Sequence, residues 1–305
     1  MVIDEIQRRP DLFPILRVLV DENPNRKFLI LGSASQELIK QSSESLAGRI
    51  GYLELTPFDQ SEVQNLKQLW IRGGFPKSFL ADSDDTSYLW RREYVGTFLE
   101  QDIPNLGFKI PAQTMHRFWM MLTHYHGKMI NYSEIGKSLG LSDMTIRRYM
   151  DILNGTFMVR ILSPWHEALD KRQIKIPKIY FRDSGLYHFL SGVDSYKTLY
   201  THPKLGASWE GFALEETIRM MDADRNDCYF WGIHRQAELD LMIIKNGRRY
   251  GFEFNFTDKP KLTRSIQISI SALKLDRMTI VHPGKEQFKL EDSIDVIGLE
   301  GLIPL

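Results

Sequence analysis

Two short apolar segments within the first 35 residues bracket an amphipathic helix, and this order constrains the fold more than any other feature of the sequence. M-V-I leads straight into the carboxylate pair Asp4-Glu5. Leu12, Ile15, Leu16 and Leu19 follow at helical spacing, and K-F-L-I-L then ends on the small polar turn G-S-A-S. Two buried strands joined through a helix lie parallel, and the residues just past the C-termini of such strands line the ligand crevice of an open sheet. Here those residues are Asp4, Glu5, Ser33 and Ser35. The bland alternative stays open, since an Asp-Glu pair at a strand end is often only solvated surface.

Composition narrows the setting. A chain of 305 residues with 43% hydrophobic content has room for two or three packed domains. Its one cysteine, Cys228, excludes an intramolecular disulfide and any Cys-based zinc cluster, which fits a reducing compartment. No apolar run approaches the ~20 residues of a spanning helix, so the expectation is a cytoplasmic chain with no membrane partner. The net charge of zero hides an asymmetry: His116 to Arg182 carries eleven Lys or Arg against five Asp or Glu. A basic middle is the electrostatic footprint of a nucleic-acid module, and equally of an ordinary surface.

Along the chain, L-E-L-T-P-F (Leu53 to Phe58) reads as a strand stopped by Pro57, Asp59 as the cap of a helix through Glu62 to Trp70, and G-G-F-P as its break. Tyr88 to Gln101 reads as a helix rich in large side chains. Asn131 with Glu134 makes a capping pair for S-E-I-G-K-S-L, which stops at Gly140, and Ser142 caps D-M-T-I-R-R-Y-M-D-I-L. Ile146, Met150 and Leu153 share one face of that second helix, turning Thr145, Arg147 and Arg148 outward. With the strand G-T-F-M-V-R-I-L, this is the winged-helix pattern, whose second helix enters the DNA major groove or else serves protein contact or spacing. N-Y-S-E-I-G-K-S in the same stretch imitates a P-loop, but its Gly136-Lys137-Ser138 lies inside a helix instead of opening one.

From Lys178 onward, K-I-Y-F-R-D-S-G-L is a strand closed by Asp183 and Gly185, followed by a linker to about Ala207. A helix bearing Glu210 and Glu215 precedes two strands, E-L-D-L-M-I-I and R-Y-G-F-E-F-N-F, joined by a hairpin in which Asn246-Gly247 signals a type I′ turn. Alternation aims Asp240 and Glu253 at a common point. A helix carboxylate, a strand Asp and a Glu on the next strand form the constellation of the PD-(D/E)xK nucleases, which bind Mg²⁺ through hard oxygen ligands.

The first stretch resembles the second half of an AAA-type P-loop ATPase core. The resemblance makes Asp4 the Walker B carboxylate on Mg²⁺, Glu5 the activator of the attacking water, and Ser33 a sensor near the γ-phosphate. The later G-R-I-G-Y-L-E-L-T-P-F makes Arg49 an arginine-finger candidate. Over nearly its whole length the chain is similar to prokaryotic AAA-type ATPases fused to a winged helix and a C-terminal nuclease-like domain of unknown function. That implies an α/β multidomain fold: a partial P-loop NTPase core at 1–58, a helical lid-like segment at 59–115, a winged helix at 116–165, a connecting strand and linker at 166–206, and a restriction-endonuclease-like α/β domain at 207–305.

Two departures shape the functional expectation. The nuclease motif places a Lys two residues after its second acid, where this sequence has Asn255; Lys259 and Lys261 are weak substitutes. The first half of the ATPase core, with its P-loop, is missing, so the expected chain is a shortened one that binds neither ATP nor Mg²⁺ tightly. Its expected partners are DNA and, through unpaired strand edges, a second copy of itself. The rival readings are an active Mg²⁺-dependent nuclease using Glu210, Asp240 and Glu253, and a non-enzymatic adaptor that binds DNA or protein through the winged helix.

Overall fold

The computed structural model describes residues 1–6, 9–23, 25–32, 45–166, 173–257 and 260–304. At the N-terminus, β1 (Val2–Ile3) and β2 (Leu29–Ile30) pair in parallel, Val2 opposite Leu29 and Ile3 opposite Ile30, with the helix Leu12–Glu22 as the crossover. The order of elements is the expected one, but the packed face differs. Phe13 and Leu16 join Ile6 and Leu46 in a small core, while Ile15 and Val18 stay exposed. The expected strand Leu53 to Phe58 does not form a paired strand; Leu53 and Leu55 are 94% and 95% exposed.

The helix expected from Glu62 begins later. Asp59 closes a turn by accepting from the Ser61 N–H and hydroxyl, and Asn65 is the residue that caps the helix Leu66–Arg72. Helices Pro76–Phe79 and Asp84–Thr97 follow, the latter running into a π-helical turn at Phe98–Asp102. The supposed linker before Ala207 is also helical, at Ser184–Leu190 and Tyr196–Tyr200. Its first helix is locked to Leu66–Arg72 through backbone: a Cβ on Gly185 would stand 2.1 Å from the Arg72 carbonyl oxygen, and one on Gly73 2.2 Å from Asp183 Oδ1. Asp183 accepts from both the Leu186 and the Gly74 N–H, each at 2.8 Å. The G-G-F-P and D-S-G-L signatures are thus two halves of one contact.

A nine-stranded mixed sheet carries everything from residue 128 onward, in the order β10-β11-β9-β8-β7-β6-β4-β5-β3. One end is β3 (Lys128–Met129), β4 (Val159–Pro164) and β5 (Lys178–Phe181), with β5 antiparallel to both neighbours. Between β3 and β4 lie the helices Tyr132–Leu139 and Asp143–Gly155, capped by Asn131 and Ser142 as expected. Only the pairs Ser163–Tyr229 and Pro164–Phe230 join β4 to the next strand. Beyond that seam, β6 (Cys228–Ile233), β7 (Ala237–Lys245) and β8 (Arg248–Phe254) form an antiparallel meander. The β7–β8 turn has Asn246 and Gly247 at φ 53° and 74°, the left-handed pair that a type I′ turn requires. The helix Arg264–Leu273 then crosses to β9 (Arg277–His282), parallel to β8, and β10 (Gln287–Glu291) and β11 (Ile294–Gly298) complete the sheet. Helix Leu205–Met220 packs against the sheet with residues of both its faces buried. Among the described residues, no helix is long and apolar enough to cross a membrane.

Candidate functional site

The N-terminal carboxylates sit where the sequence puts them, just past the end of β1, and both are exposed. Asp4 Oδ1 accepts from the Glu5 N–H at 2.9 Å, and Glu5 has a left-handed φ of 52°. Ser33 lies outside the described residues. Arg49 is engaged elsewhere: its Nε and Nη2 grip the two Asp21 carboxylate oxygens at 2.5 and 3.1 Å, and Nη1 donates to the Ala47 carbonyl.

The C-terminal acids form a much more developed site. In the β7–β8 register Leu241 faces Phe252, which sets Asp240 beside Glu253, and Asp240 Oδ2 accepts from the Phe254 N–H at 3.0 Å. Glu210 comes in from the helix Leu205–Met220 and accepts from the Tyr180 hydroxyl at 2.6 Å. Among these carboxylates stands one ammonium, Lys178 on β5. Its Nζ lies 3.5 Å from Glu210 Oε1 and 3.6 Å from Asp240 Oδ1, and it contacts Glu238 Oε1 directly. Lys178 is 4% exposed. Glu253 Oε2 is fully buried and has no hydrogen-bond partner among the described residues.

Burial and mutual repulsion push these acids toward neutrality. Burial first, then the Asp240 charge, raises Glu210 to about 7. Asp240 is raised chiefly by burial, and Glu253 well above the usual carboxylate range by burial and then by Asp240 and Glu210. Burial works against charge on Lys178, yet Tyr180, Glu210, Asp240 and Glu238 outweigh it and hold the ammonium firmly protonated. Two like charges 4 Å apart repel by about 4 kcal/mol at an effective dielectric of 20, so the cluster favours sharing protons over full ionisation.

Mg²⁺ does not fit this arrangement. A magnesium ion requires oxygen ligands at about 2.0–2.1 Å in octahedral order, and the space between Glu210 and Asp240 is already filled by the Lys178 ammonium. Among the described residues, no group of three or more His, Cys, Asp or Glu is placed to hold a metal ion. The lysine of this cluster comes from β5, not from the stretch after Asn255. The signal was present: Lys178 and Tyr180 alternate onto one face of K-I-Y-F, as Glu238 and Asp240 do on E-L-D, and a lysine in an otherwise apolar strand needs a buried partner. Of the suggested substitutes, Lys259 lies outside the described residues.

One turn along the same helix, Glu215 anchors a second ionic group. Arg160 of β4 pairs with it through both guanidinium arms, Nη2 at 2.9 Å, and Arg182 Nε approaches at 3.5 Å. Despite burial, the Arg160 charge and its hydrogen bond bring Glu215 down to about 2. Glu216 accepts from the Gln60 N–H at 2.7 Å and from Arg219 at 2.7 Å, and Arg182 also reaches Glu54. These contacts tie residues 54–60 to the helix that carries Glu210.

On the candidate DNA surface, Arg147 and Arg148 are exposed and Thr145 is half-buried. The Thr145 hydroxyl pairs with Ser142 Oγ at 2.9 Å, and the Arg147 guanidinium lies 4.1 Å over the Tyr132 ring. Arg148 is the more freely presented of the two.

Comparison with known proteins matches three stretches of the chain. Residues 1–64 match the AAA domain family, 63–197 the domain of unknown function DUF8612, and 205–302 the domain of unknown function DUF4143. No solved structure matches. Two uncharacterized proteins, from Mycobacterium bovis and Mycobacterium tuberculosis, are each 46% identical over 307 residues, covering 99% of this chain and 69% of their own length. On that likeness the chain belongs to the family of these mycobacterial proteins, with an AAA-type ATPase-like segment at 1–64 and a DUF4143 domain at 205–302.

Proposed function

We propose that the chain is a DNA-directed protein of the AAA type, in which residues 112–181 act as a winged helix and the DUF4143 domain is a nuclease-like domain that does not cut. The observation that carries this reading is the order of elements around the acids: helix Leu205–Met220, the meander β6-β7-β8, helix Arg264–Leu273 and parallel β9, with Glu210, Asp240 and Glu253 meeting in one half-buried cluster. A helix carboxylate, a strand Asp and a Glu on the next strand are the PD-(D/E)xK constellation that the sequence resembles. Helix, β3, two capped helices and the β4–β5 pair, in the sheet order β4-β5-β3, support the winged-helix assignment.

ATP and Mg²⁺ enter through the AAA match, with Asp4 and Glu5 as the acidic half of a nucleotide site. The 305 residues contain no P-loop following a strand, and each charge-assisted bond such a loop gives the phosphates contributes about 1.5–3 kcal/mol. This chain by itself therefore binds ATP no better than about millimolar. The function is tested by fluorescence anisotropy with a labelled duplex across a salt series. Affinity should fall steeply with salt, and Arg147→Ala,Arg148→Ala should weaken binding and flatten the slope. Unchanged affinity in that variant removes this surface from the reading, and no DNA binding at low salt removes the reading itself.

A further inference from the structure

The acid cluster holds its own cation, and that cation comes from outside the DUF4143 domain. Glu210, Glu238, Asp240 and Glu253 all lie within residues 205–302, whereas Lys178 is on β5, across β4 and the two-pair seam to β6. The ammonium is seated between Glu210 and Asp240, at 3.5 and 3.6 Å, and touches Glu238. It cannot balance four carboxylates. A second observation marks the shortfall independently: Glu253 Oε2 is completely buried and no described donor reaches it. Carboxylate oxygens are the donor type a hard divalent cation takes, and here an ammonium stands among them.

We infer that Lys178 is a built-in counterion occupying the seat of a divalent cation, so that the cluster excludes Mg²⁺ and Mn²⁺ while β5 is in place and becomes a divalent-cation site once the ammonium is gone. The inference deepens the nuclease-like reading of this cluster and rests on it for the identity of the site. It also accounts for the position of the lysine. A catalytic lysine has to reach substrate, but Lys178 is almost wholly enclosed, and the cluster opens to solvent on the side of Glu238, whose side chain is 45% exposed.

The test is Mn²⁺ titration of the full 305-residue chain by calorimetry, for the unmodified protein, Lys178→Gln, and the double variant Lys178→Gln,Glu238→Gln. Removing the lysine alone leaves buried carboxylates without a counterion and endangers folding. The double variant removes one positive and one negative charge, preserving the balance while vacating the seat. The unmodified chain should show no saturable binding below about millimolar, and the double variant one site at least about tenfold tighter. Mn²⁺ should raise the melting temperature of the double variant and leave that of the unmodified chain unchanged. Equal Mn²⁺ affinity in both proteins, or no site in the double variant, overturns the inference. Mn²⁺-dependent plasmid cleavage by the unmodified chain that Lys178→Gln abolishes also overturns it, because the ammonium then belongs to catalysis. Salt-dependent DNA binding judges the proposed function separately, so either idea can fail alone.

Discussion

Two regions of this chain gather carboxylates, and they are built in opposite ways. At the N-terminus, Asp4 and Glu5 lie exposed at the end of a two-stranded sheet whose core is Ile6, Phe13, Leu16 and Leu46. In the C-terminal domain, Glu210, Asp240 and Glu253 are half-buried between a nine-stranded sheet and a helix buried on both faces. Exposed acids keep their hydration and bear no desolvation cost. Enclosed acids must be neutralised from within, by protons or by a resident cation, and that requirement explains both the raised carboxyls and Lys178.

The largest expected difference is in local opening. The β1–β2 ladder has two residue pairs and apolar residues on its open surface (Val2, Leu29 and Leu31), whereas β7 and β8 are paired along their length between packed neighbours. Amides of Ile3 and Ile30 should therefore exchange at least about a thousandfold faster than those of Leu241 and Phe252. Comparable protection factors by native-state hydrogen exchange would mean that the N-terminal segment is held by something beyond its own small core.

Next in size is the loss of a buried ion pair. Arg160→Ala leaves Glu215 enclosed without its main partner and should destabilise the chain by about 3–5 kcal/mol in urea unfolding. Arg160→Met with Glu215→Leu should recover most of that, since well-packed apolar residues often replace such a pair without loss. A double variant as unstable as the single would show that Arg182 and Arg219, which also act on Glu215, depend on its charge.

The sequence disclosed the parts that depend on local spacing and hid those that depend on long-range contact. Asn131, Ser142 and Gly140 bounded their helices, and Asn246-Gly247 set the register that brings Asp240 to Glu253. These signals operate within a few residues of chain. Asp59 misled because an Asp-x-Ser turn and a helix cap use the same side chain, and only the loop's contact with Glu216 through the Gln60 N–H separates them. Leu53 to Phe58 alternates like a strand but pairs with no strand among the described residues. Lys178 was out of reach for a third reason: motif spacing looks along one strand, whereas the ammonium arrives from another, 77 residues before Asn255 in sequence and adjacent to the acids only in the folded sheet.

A smaller, pH-dependent effect separates the two kinds of carboxylate. A buried acid raised from about 4.5 holds its proton in the folded state after the unfolded chain has released it, so its presence costs stability as pH rises through that interval. For Glu210 the interval runs from about 4.5 to about 7; for Glu253 it extends higher. His126 and His188, buried and lowered to about 3, act with opposite sign below 6.5, so the profile of the unmodified chain mixes both. The difference between Glu253→Gln and the unmodified protein isolates one group. It should favour the variant increasingly from pH 5 to pH 8, with a slope of at most about 1.4 kcal/mol per pH unit. A difference independent of pH would place the Glu253 carboxyl in water.

The smallest effect is expected where the drawn geometry looks strongest. Arg49 holds Asp21 through two guanidinium nitrogens, the same fork that Arg160 makes on Glu215, and each arginine lowers its acid's pKa through a hydrogen bond and its charge. Burial is what differs. Both partners of the first pair are open to solvent, so water replaces either one and salt screens what remains, while nothing replaces Arg160 in the interior. Arg49→Ala should therefore leave the urea midpoint within the error of the measurement, at low and at high salt alike. It also frees Asp21, not the region of Asp4 and Glu5, so any nucleotide binding by this chain should be equally indifferent. A measurable drop in stability would show that the Arg49 fork is shielded from water. A drop in nucleotide binding alone would show that Arg49 leaves Asp21 when phosphate is present, bringing the N-terminal region closer to the pre-formed design seen at Glu210.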